Sequence, residues 1–281
     1  MNGKPDRSDA ADVSRRPIAI CVHGAAGRMG QRLIDLIHHD GQATLAGAVD
    51  AADHPAIGRD AGEIAGIGPI GLAIADAIPE GCDVVIDFSL PEGALALVES
   101  CRRTQTPLVL ATTGFDDDAK QAIAEAAAST PIVFAPNMSA AVNIAMMLVR
   151  AASRALVGFP GGVDAEVVER HHRFKKDAPS GTALRFGEII AEELGQTEHT
   201  HGREGLTGER PQSQIGYHAL RTGDNVGEHQ IILGLMGETL SIDVRGHSRD
   251  GYALGAIAAA KWLHARPAGM YTMADVLGLD A

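Results

Sequence analysis

The segment 18–37, IAICVHGAAGRMGQRLIDLI, contains the pattern that decides the fold. A short apolar run from Ile18 to Val22 is followed by glycines at positions 24, 27 and 30 and then by apolar residues at helical spacing. A strand, a glycine-rich turn and a helix in this order are typical of the first βαβ unit of a Rossmann-type domain. The segment therefore predicts a dinucleotide-binding domain.

The glycine-rich turn is the predicted site of the dinucleotide pyrophosphate. Glycines permit a tight turn and a close approach of the ligand, and the following helix start offers free N–H groups and a partial positive charge. A turn of the same sequence without a ligand is the alternative. The predicted cofactor-binding residues of the turn are Gly24, Ala25, Ala26, Gly27, Arg28, Met29 and Gly30.

Asp50 follows the second predicted strand, about 20 residues beyond the glycines, where an acidic side chain accepts hydrogen bonds from the adenosine ribose. Ala51 comes next, and no arginine is adjacent to neutralise a 2′-phosphate. We therefore expect NADH to be the preferred cofactor, with NADPH as a possible second one. A solvated strand end is the alternative for Asp50.

The stretch 17–136 alternates short apolar runs with helical patterns, which predicts α/β architecture with a doubly wound parallel sheet. Residues 53–71 are rich in glycine and weakly periodic, so we expect a loop there. The predicted strands cover 18–22, 45–49, 84–88, 108–111 and 132–134, and the predicted helices cover 28–38, 92–103 and 117–128.

Two of these strands are followed by short polar motifs, at the edge where doubly wound sheets bind ligands. Thr112, Thr113 and Asn137 offer hydroxyl and amide groups to a nicotinamide ribose and carboxamide. Each motif could equally be an ordinary turn or cap. The predicted cofactor-binding residues here are Ala111, Thr112, Thr113, Ala135, Pro136, Asn137 and Met138.

The pattern changes after Pro136 and predicts a second, α+β domain with a mixed sheet. Ser139 is placed to cap a helix that runs to about Leu156, and Gly237 is placed to form a hairpin turn. The expected strands cover 164–170, 215–222, 230–235 and 239–245, and one face of the last is free for a partner subunit. An apolar helix at 253–263 is expected to return to the first domain.

These patterns divide the chain into three parts. Residues 1–16 are expected to be a disordered polar tail. Residues 17–138 together with 250–281 form the predicted dinucleotide-binding domain. Residues 139–249 form the predicted substrate-binding and oligomerisation domain, inserted into the first.

The segment EVVERHHRFKKDAPSGTAL is basic in an otherwise acidic chain, with His171, His172, Arg173, Lys175 and Lys176 within six positions. Histidine is the side chain best suited to donate a proton near neutral pH, and lysine can bind a carboxylate. If the preceding strand continues through both histidines, they point to opposite faces. A merely solvated basic loop is the alternative.

A second anion-binding device follows the basic loop directly. Ser180, Gly181 and Thr182 are predicted to open a helix that runs to about Leu194, so that their amides face a ligand. Two neighbouring anion-binding devices favour a small substrate with two carboxylates.

Bulk properties exclude several classes of function. A formal net charge of −12 without a basic stripe argues against nucleic acid as a partner. The N-terminal stretch lacks a signal-peptide core, and no run of about 18 apolar residues follows, so no membrane association is expected. Three widely spaced cysteines fit a reducing compartment, and we expect a cytoplasmic protein.

Seven motifs resemble the dihydrodipicolinate reductase family, also called the 4-hydroxy-tetrahydrodipicolinate reductase family. They are GAAGRMG (24–30), VVIDFSLPEG (84–93), ATTGF (111–115), APNMSAAVN (135–143), ERHHRFKKDAPSGTAL (169–184), REGLTGER (203–210) and GDNVGEH (223–229). The resemblance implies hydride transfer from NAD(P)H to the dihydrodipicolinate-type intermediate of diaminopimelate and lysine biosynthesis, which gives tetrahydrodipicolinate. It also implies a homotetramer.

The resemblance further assigns roles to residues. It implies that His171 is the proton donor, that Lys175 assists it, and that His172, Gly181 and Thr182 hold the substrate. Ala51 departs from the pattern of those family members that also use NADPH, which often carry arginine there.

Three other classes of protein were considered. A metal enzyme would use His171, His172, His199 and His201, but this set lacks carboxylate or cysteine ligands at useful spacing, so no metal is expected. A semialdehyde-type dehydrogenase needs a cysteine beside a base, which none of the three cysteines has. A nicotinamide-sensing protein without catalysis would bind NADH and not turn it over.

Overall fold

The computed structural model describes residues 16–279. The expected polar tail at residues 1–15 and the end of the chain at 280–281 lie outside the described residues. Arg16, assigned to the tail from sequence, pairs with Asp83 through two hydrogen bonds of 2.9 and 2.7 Å. Arg16 therefore contacts the first domain.

The first sheet has seven parallel strands in the order β12-β6-β5-β4-β1-β2-β3. Its strands are β1 (Ile18–His23), β2 (Ala43–Val49), β3 (Ile74–Ala75), β4 (Val84–Asp87), β5 (Leu108–Leu110), β6 (Pro131–Phe134) and β12 (Gly269–Tyr271). Its helices are α1 (Arg28–His38), α2 (Ala61–Ala65), α3 (Pro91–Thr104), α4 (Asp117–Ala127), α7 (Asp250–Leu263) and α8 (Met273–Leu277). The chain order reverses between β1 and β4, which places the switch point of the sheet directly beyond these strands.

Helices cover both faces of this sheet, so its strands are apolar on both sides. One core joins Ile20 and Val22 to the inner faces of α1 and α7. The other joins Cys21 and Val85 to α3 and α4. The predicted Rossmann-type doubly wound sheet is confirmed.

The second sheet is mixed, in the order β11-β10-β7-β9-β8. Its strands are β7 (Asp164–His171), β8 (Glu198–His201), β9 (Gln214–Arg221), β10 (Gly227–Leu235) and β11 (Glu238–Gly246), and its helices are α5 (Ala140–Ala155) and α6 (Gly181–Leu194). β7 runs parallel to β9 and antiparallel to β10, which brings the ends of β7 and β9 to the same edge. As predicted, Ser139 caps α5 and Gly237, at φ 93°, lies in the β10–β11 hairpin turn.

The expected loop at 53–71 contains a helix, so that prediction is wrong in part. Asp60 caps α2 by accepting hydrogen bonds from the amides of Gly62 and Glu63, and Gly66 ends it in the left-handed region at φ 80°. A helix of five residues is too short to produce a periodic pattern, so only its capping residues indicate it in the sequence. The short elements β3, β8, β12 and α8 were also not predicted.

Helix α7 returns the chain from the second sheet to the first, where it packs against α1 and the central strands. Gly255 on α7 meets the main chain at Met138, where the polypeptide leaves the first domain. A Cβ atom on Gly255 would overlap the carbonyl oxygen of Met138. The close approach of α7 to this crossing therefore requires glycine.

We predict that Gly255→Ala destabilises the protein by about 1–3 kcal/mol or more, because the methyl group must displace backbone rather than a flexible side chain. The measurement is urea unfolding followed by circular dichroism. Gly251→Ala on the same helix is the matched control, since open space surrounds that position. Equal stabilities of the two variants would contradict the packing described.

Candidate active site

A cavity of about 790 Å³ lies between the two sheets and is lined by residues of both domains. From the first domain it receives the start of α1 and the loops that follow β4, β5 and β6. From the second it receives the end of β7, the loop after it, and the start of α6. The carboxyl ends of the parallel strands thus share one cavity with a helix start and a basic loop.

The start of α1 has backbone donors without partners. Gly27 is the N-cap and supplies no side-chain acceptor. Within residues 16–279, no hydrogen bond is made by the amides of Arg28, Met29 or Gly30. Free amides at a helix start bind anions well, because the helix dipole adds a partial positive charge.

The turn before α1 is held by its own backbone and by the second strand. The amides of Ala25, Ala26 and Gly27 donate to the carbonyl of Val49, the carboxylate of Asp50 and the carbonyl of Gly24, respectively. These three amides are therefore hydrogen-bonded within the protein and are not available to a ligand.

Two glycines of the turn are required by sterics. Gly24 adopts φ 75°, and a Cβ there would lie 2.7 Å from the carbonyl oxygen of Phe88. A Cβ on Gly30 would overlap the carbonyl oxygen of Gly24. Of the seven predicted turn residues, only Arg28 and Met29 line the interdomain cavity.

A second cavity, of about 710 Å³, begins at Asp50 and Ala51. Its lining is acidic, with the carboxylates of Asp50, Asp76 and Glu80, and it includes His23 but no lysine or arginine among the described residues. The Asp50 carboxylate accepts the amide of Ala26 at 2.8 Å. Its position thus couples the second strand to the glycine turn.

The loops after β5 and β6 reach the interdomain cavity through Ala111, Thr113, Ala135, Pro136, Asn137 and Met138. Thr112 does not line it. Its side chain is buried and donates to Asp87 at 2.6 Å, and Asp87 also lies 2.6 Å from Nδ1 of His23. Thr112 therefore belongs to a polar cluster beneath the strand ends.

Asn137 connects the two domains. Its side-chain amide nitrogen donates to the Thr182 hydroxyl at 3.2 Å, and its oxygen accepts the amide of Ser139 at 2.9 Å. Because Thr182 accepts this bond, its own hydroxyl hydrogen is free to be donated elsewhere.

The two histidines of the basic segment both line the cavity. The condition under which they would point to opposite faces is not met, because β7 ends at His171 and His172 belongs to the loop. His171 is 8% exposed, and its Nδ1 lies 2.5 Å from the carboxylate of Glu169. Its Nε2 lies 3.0 Å from the position that a Cβ on Gly227 would take.

Glu169 is a buried carboxylate at the centre of the site. Burial would raise its pKa, but hydrogen bonds from His171 and Arg221 outweigh burial and lower the pKa to about 2. The Arg221 guanidinium donates to both carboxylate oxygens, at 2.9 and 2.7 Å. Glu169 is therefore ionised throughout the neutral range.

His229 from β10 packs edge-on against His171, with ring centroids 5.3 Å apart. Burial, together with the charge of His171, lowers the pKa of His229 to about 4. Its Nε2 lies 3.2 Å from the Ser180 hydroxyl. His229 is thus neutral near pH 7 and supports the start of α6.

Lys175 lines the cavity from the loop that follows β7. Its ammonium group lies 3.0 Å from the carboxylate of Asp177, which is itself largely exposed. The ammonium group of Lys175 is therefore held at the cavity wall by an ion pair with Asp177. Solvent screens this ion pair because Asp177 is exposed.

The start of α6 is the second set of free backbone donors. Ser180 is fully used by the protein: its amide donates to Glu169, and its hydroxyl accepts the amide of Ala183. Across the described part of the chain, the amides of Gly181 and Thr182 have no hydrogen-bond acceptor. The anion-binding capacity predicted for this helix start lies in these two residues.

Several cavity or support residues were not predicted from sequence: Glu169, Arg221, His229, Arg249 and Tyr252. Glu169 and His229 lie in the motifs ERHH and GDNVGEH, whereas the other three lie outside both, and no pattern in the sequence indicates which strands meet. Arg28 and Arg249 have no carboxylate partner within residues 16–279. The cavity therefore presents uncompensated positive charge, although the chain is acidic overall.

No group of three or more His, Cys, Asp or Glu side chains within residues 16–279 is arranged to hold a metal ion. Among the helices of the same residues, none has the length and apolar character needed to cross a membrane. His199, considered above as a ligand, instead contacts the Tyr217 hydroxyl at 2.9 Å.

Two family models match the chain in sequence. Residues 18–138 match the model of the dihydrodipicolinate reductase N-terminus, and residues 141–277 match that of its C-terminus. The 4-hydroxy-tetrahydrodipicolinate reductase of Rhodopirellula baltica is 51% identical over 95% of this chain and 98% of its own. The 4-hydroxy-tetrahydrodipicolinate reductase of Hahella chejuensis is 45% identical over 92% of this chain and 98% of its own.

Solved structures support the same fold. A dipicolinate-bound dihydrodipicolinate reductase from a Paenisporosarcina species superimposes with a TM-score of 0.72 at 22% identity, covering 91% of this chain and 97% of the other. An amine dehydrogenase from Mycobacterium smegmatis superimposes with a TM-score of 0.61 at 11% identity, covering 92% of this chain and 96% of the other.

Proposed function

Since the chain belongs to the dihydrodipicolinate reductase family, we propose that it is an NAD(P)H-dependent 4-hydroxy-tetrahydrodipicolinate reductase of diaminopimelate and lysine biosynthesis. One observation carries the proposal: the interdomain cavity joins the free amides of α1 to His171, Lys175 and the free amides of α6. A bound nicotinamide supplies the hydride, and the chain supplies orientation, charge and a proton.

The start of α1 is the proposed pyrophosphate site. The unpaired amides of Arg28, Met29 and Gly30 fit a phosphate group, and the Arg28 guanidinium adds a full charge. The conformation of the turn depends on Gly24, Ala25, Ala26 and Gly27. Their amides are not proposed to bind the pyrophosphate, because they are hydrogen-bonded within the protein or shielded by the turn. Asp50 is the proposed acceptor for the adenosine ribose.

The loops after β5 and β6 form the proposed nicotinamide wall. Thr113 and Asn137 present polar groups there, and Ala111, Ala135, Pro136 and Met138 supply apolar contact. Thr112 supports this wall from below through Asp87.

The start of α6 is the proposed substrate anchor. The amides of Gly181 and Thr182 and the free hydroxyl hydrogen of Thr182 fit one carboxylate of a dicarboxylate. His172 and Lys175 line the same cavity and are suited to bind the second carboxylate. Ser180 holds the helix start in place and does not itself bind the ligand.

His171 is the proposed proton donor. Hydride addition to a polarised double bond leaves negative charge that a proton must neutralise. Nδ1 of His171 is engaged by Glu169, so Nε2 is the nitrogen left to donate a proton, and the His171 side chain lines the cavity. Lys175 is proposed to stabilise the developing negative charge.

The proposed preference for NADH rests on the second cavity. Asp50, Asp76 and Glu80 would repel a 2′-phosphate, and among the described residues no lysine or arginine lines this space to offset them.

A homotetramer is proposed, assembled through the second sheet. The edge strand β11 is exposed along most of its length, and it carries Leu240 at 42% exposure. An unpaired edge with apolar side chains is a typical site of association. A cytoplasmic location is proposed for the assembly because Cys21, Cys82 and Cys101 are all free thiols.

We expect kcat/KM to be at least tenfold higher with NADH than with NADPH, a difference of about 1.4 kcal/mol. Ala51→Arg should narrow this ratio by adding a cation beside the ribose, and Ala51→Gln of similar length is the control. The kcat/KM values of the native protein and of both variants are obtained from initial rates with freshly generated substrate. A native preference for NADPH would contradict the assignment of this cavity.

His171→Ala is expected to lower kcat by roughly 10²- to 10⁴-fold, the usual contribution of a positioned proton donor. The affinity for NADH should barely change, because His171 belongs to the second domain and the proposed pyrophosphate contacts belong to α1. The exposed His264→Ala is the control. A variant with near-native turnover would assign the proton to Lys175 or to water.

Pyridine-2,6-dicarboxylate is expected to compete with the substrate, and picolinate, with one carboxylate, to inhibit more weakly. Thr182→Val should raise the inhibition constant about tenfold or more, because a hydrogen bond to a charged group contributes about 1.5–3 kcal/mol. The Michaelis constant for NADH should stay constant. Equal inhibition by both compounds would exclude a two-carboxylate site.

A further inference from the structure

We propose that Glu169 and Arg221 form a buried ion pair that positions His171 and sets the charge of its surroundings for proton transfer. The proposal rests on the proposed role of His171 as proton donor and adds two residues to it. Neither reaches the reacting atoms, so both are positioning residues.

Glu169 and His171 are two residues apart on β7 and therefore project from the same face of the strand. The Glu169 side chain is 1% exposed, and its Oε2 lies 2.5 Å from Nδ1 of His171. A carboxylate in this place accepts a hydrogen from Nδ1 and so selects the tautomer. The ring is then fixed with Nε2 toward the cavity.

Arg221 ends β9, the parallel neighbour of β7, and lies beside His171 in the strand register. Its two terminal nitrogens bind the two oxygens of Glu169, and one of them also donates to the carbonyl of Asp177 at 2.6 Å. The same guanidinium thus holds the carboxylate and the loop that carries Lys175.

Glu169 has no spare acceptor for a ligand. It accepts one hydrogen bond from His171, two from Arg221 and one from the amide of Ser180 at 3.0 Å. Because the last bond comes from the N-cap of α6, the carboxylate also joins the proton donor to the substrate anchor. A carboxylate that is both buried and fully bonded has little freedom to move.

The charge balance explains why Arg221 is needed. Glu169 alone would stabilise the imidazolium strongly and hold its proton in the site. With Arg221 present, the three groups carry one net positive charge when His171 is protonated and none after the proton has left. The product state then contains a neutral cluster rather than an isolated buried carboxylate, whose burial would be costly.

Other titratable groups face this cluster from each element around it. They are His229 from β10, His172 and Lys175 from the loop, and Tyr252 from α7, with Arg249 at the N-cap of α7 lining the same cavity. Burial raises the pKa of Tyr252 and lowers that of His229, so both are neutral near pH 7. The fixed charges are Lys175, which is paired with Asp177, and Arg249.

The tautomer is tested first on the wild-type protein, which avoids any question of variant folding. With ¹⁵N-labelled histidine, the shifts of His171, assigned by comparison with His171→Ala, should show that the neutral ring carries its hydrogen on Nδ1 and none on Nε2. A ring protonated mainly at Nε2 would overturn the proposal.

The catalytic consequence is tested with Glu169→Gln, which keeps the size and an acceptor oxygen but removes the charge. We expect kcat to fall at least tenfold with an unchanged KM for NADH, and the alkaline limb of the kcat profile to move to lower pH. Glu169→Asp, which restores the charge, should recover the position of that limb. Arg221→Gln should move it to higher pH.

Glu166→Gln is the matched control. Glu166 lies on the same strand and is held by Arg203 and Arg210, but its contacts are outside the cavity. This variant should keep the native kcat and pH profile. If Glu169→Gln matches it in both, the proposal is overturned. If His171→Ala itself keeps native turnover, the proposed proton donor fails instead.

Discussion

The first turn of a helix contains N–H groups that the helix itself cannot satisfy, and two such turns face the same cavity in this protein. The start of α1 has glycine as its cap, and the start of α6 uses the Ser180 side chain for only one amide. Their unpaired donors need anions, and within residues 16–279 no carboxylate accepts from either set. An acidic protein thereby keeps two local sites for negatively charged ligands.

The cavity exists because the chain crosses between domains twice. It leaves the first sheet at Met138 and returns through α7, whose Gly255 packs directly on that crossing. The Asn137–Thr182 hydrogen bond links the same crossing to the start of α6. A change at the crossing therefore alters the spacing between the two sets of free amides.

Long elements with strong end signals could be predicted from sequence to within a residue or two. Helix α1 has the expected bounds because glycines precede it, and α6 because Pro179 and Ser180 mark its start. Helix α2 and strands β3, β8 and β12 have five residues or fewer, so they show no periodicity. Their formation depends on tertiary pairing, which the local sequence does not encode.

Residues that share one segment were easier to place together from sequence than residues that meet only in the fold. His171, Lys175, Gly181 and Thr182 lie in one segment, so their proximity is visible in the sequence. Glu169 and Arg221 are 52 positions apart and meet only because β7 and β9 are parallel neighbours in a particular register. The relative directions of His171 and His172 could not be settled from sequence, because they depend on the residue at which β7 ends.

The most direct test of this account is a crystal structure of the protein with NADH and pyridine-2,6-dicarboxylate bound together. The account predicts that the pyrophosphate contacts the amides of Arg28 to Gly30. It also predicts that one carboxylate contacts those of Gly181 and Thr182, and that Nε2 of His171 faces the dicarboxylate ring. A dicarboxylate bound outside the interdomain cavity, or a nicotinamide too far from it for hydride transfer, would contradict the account.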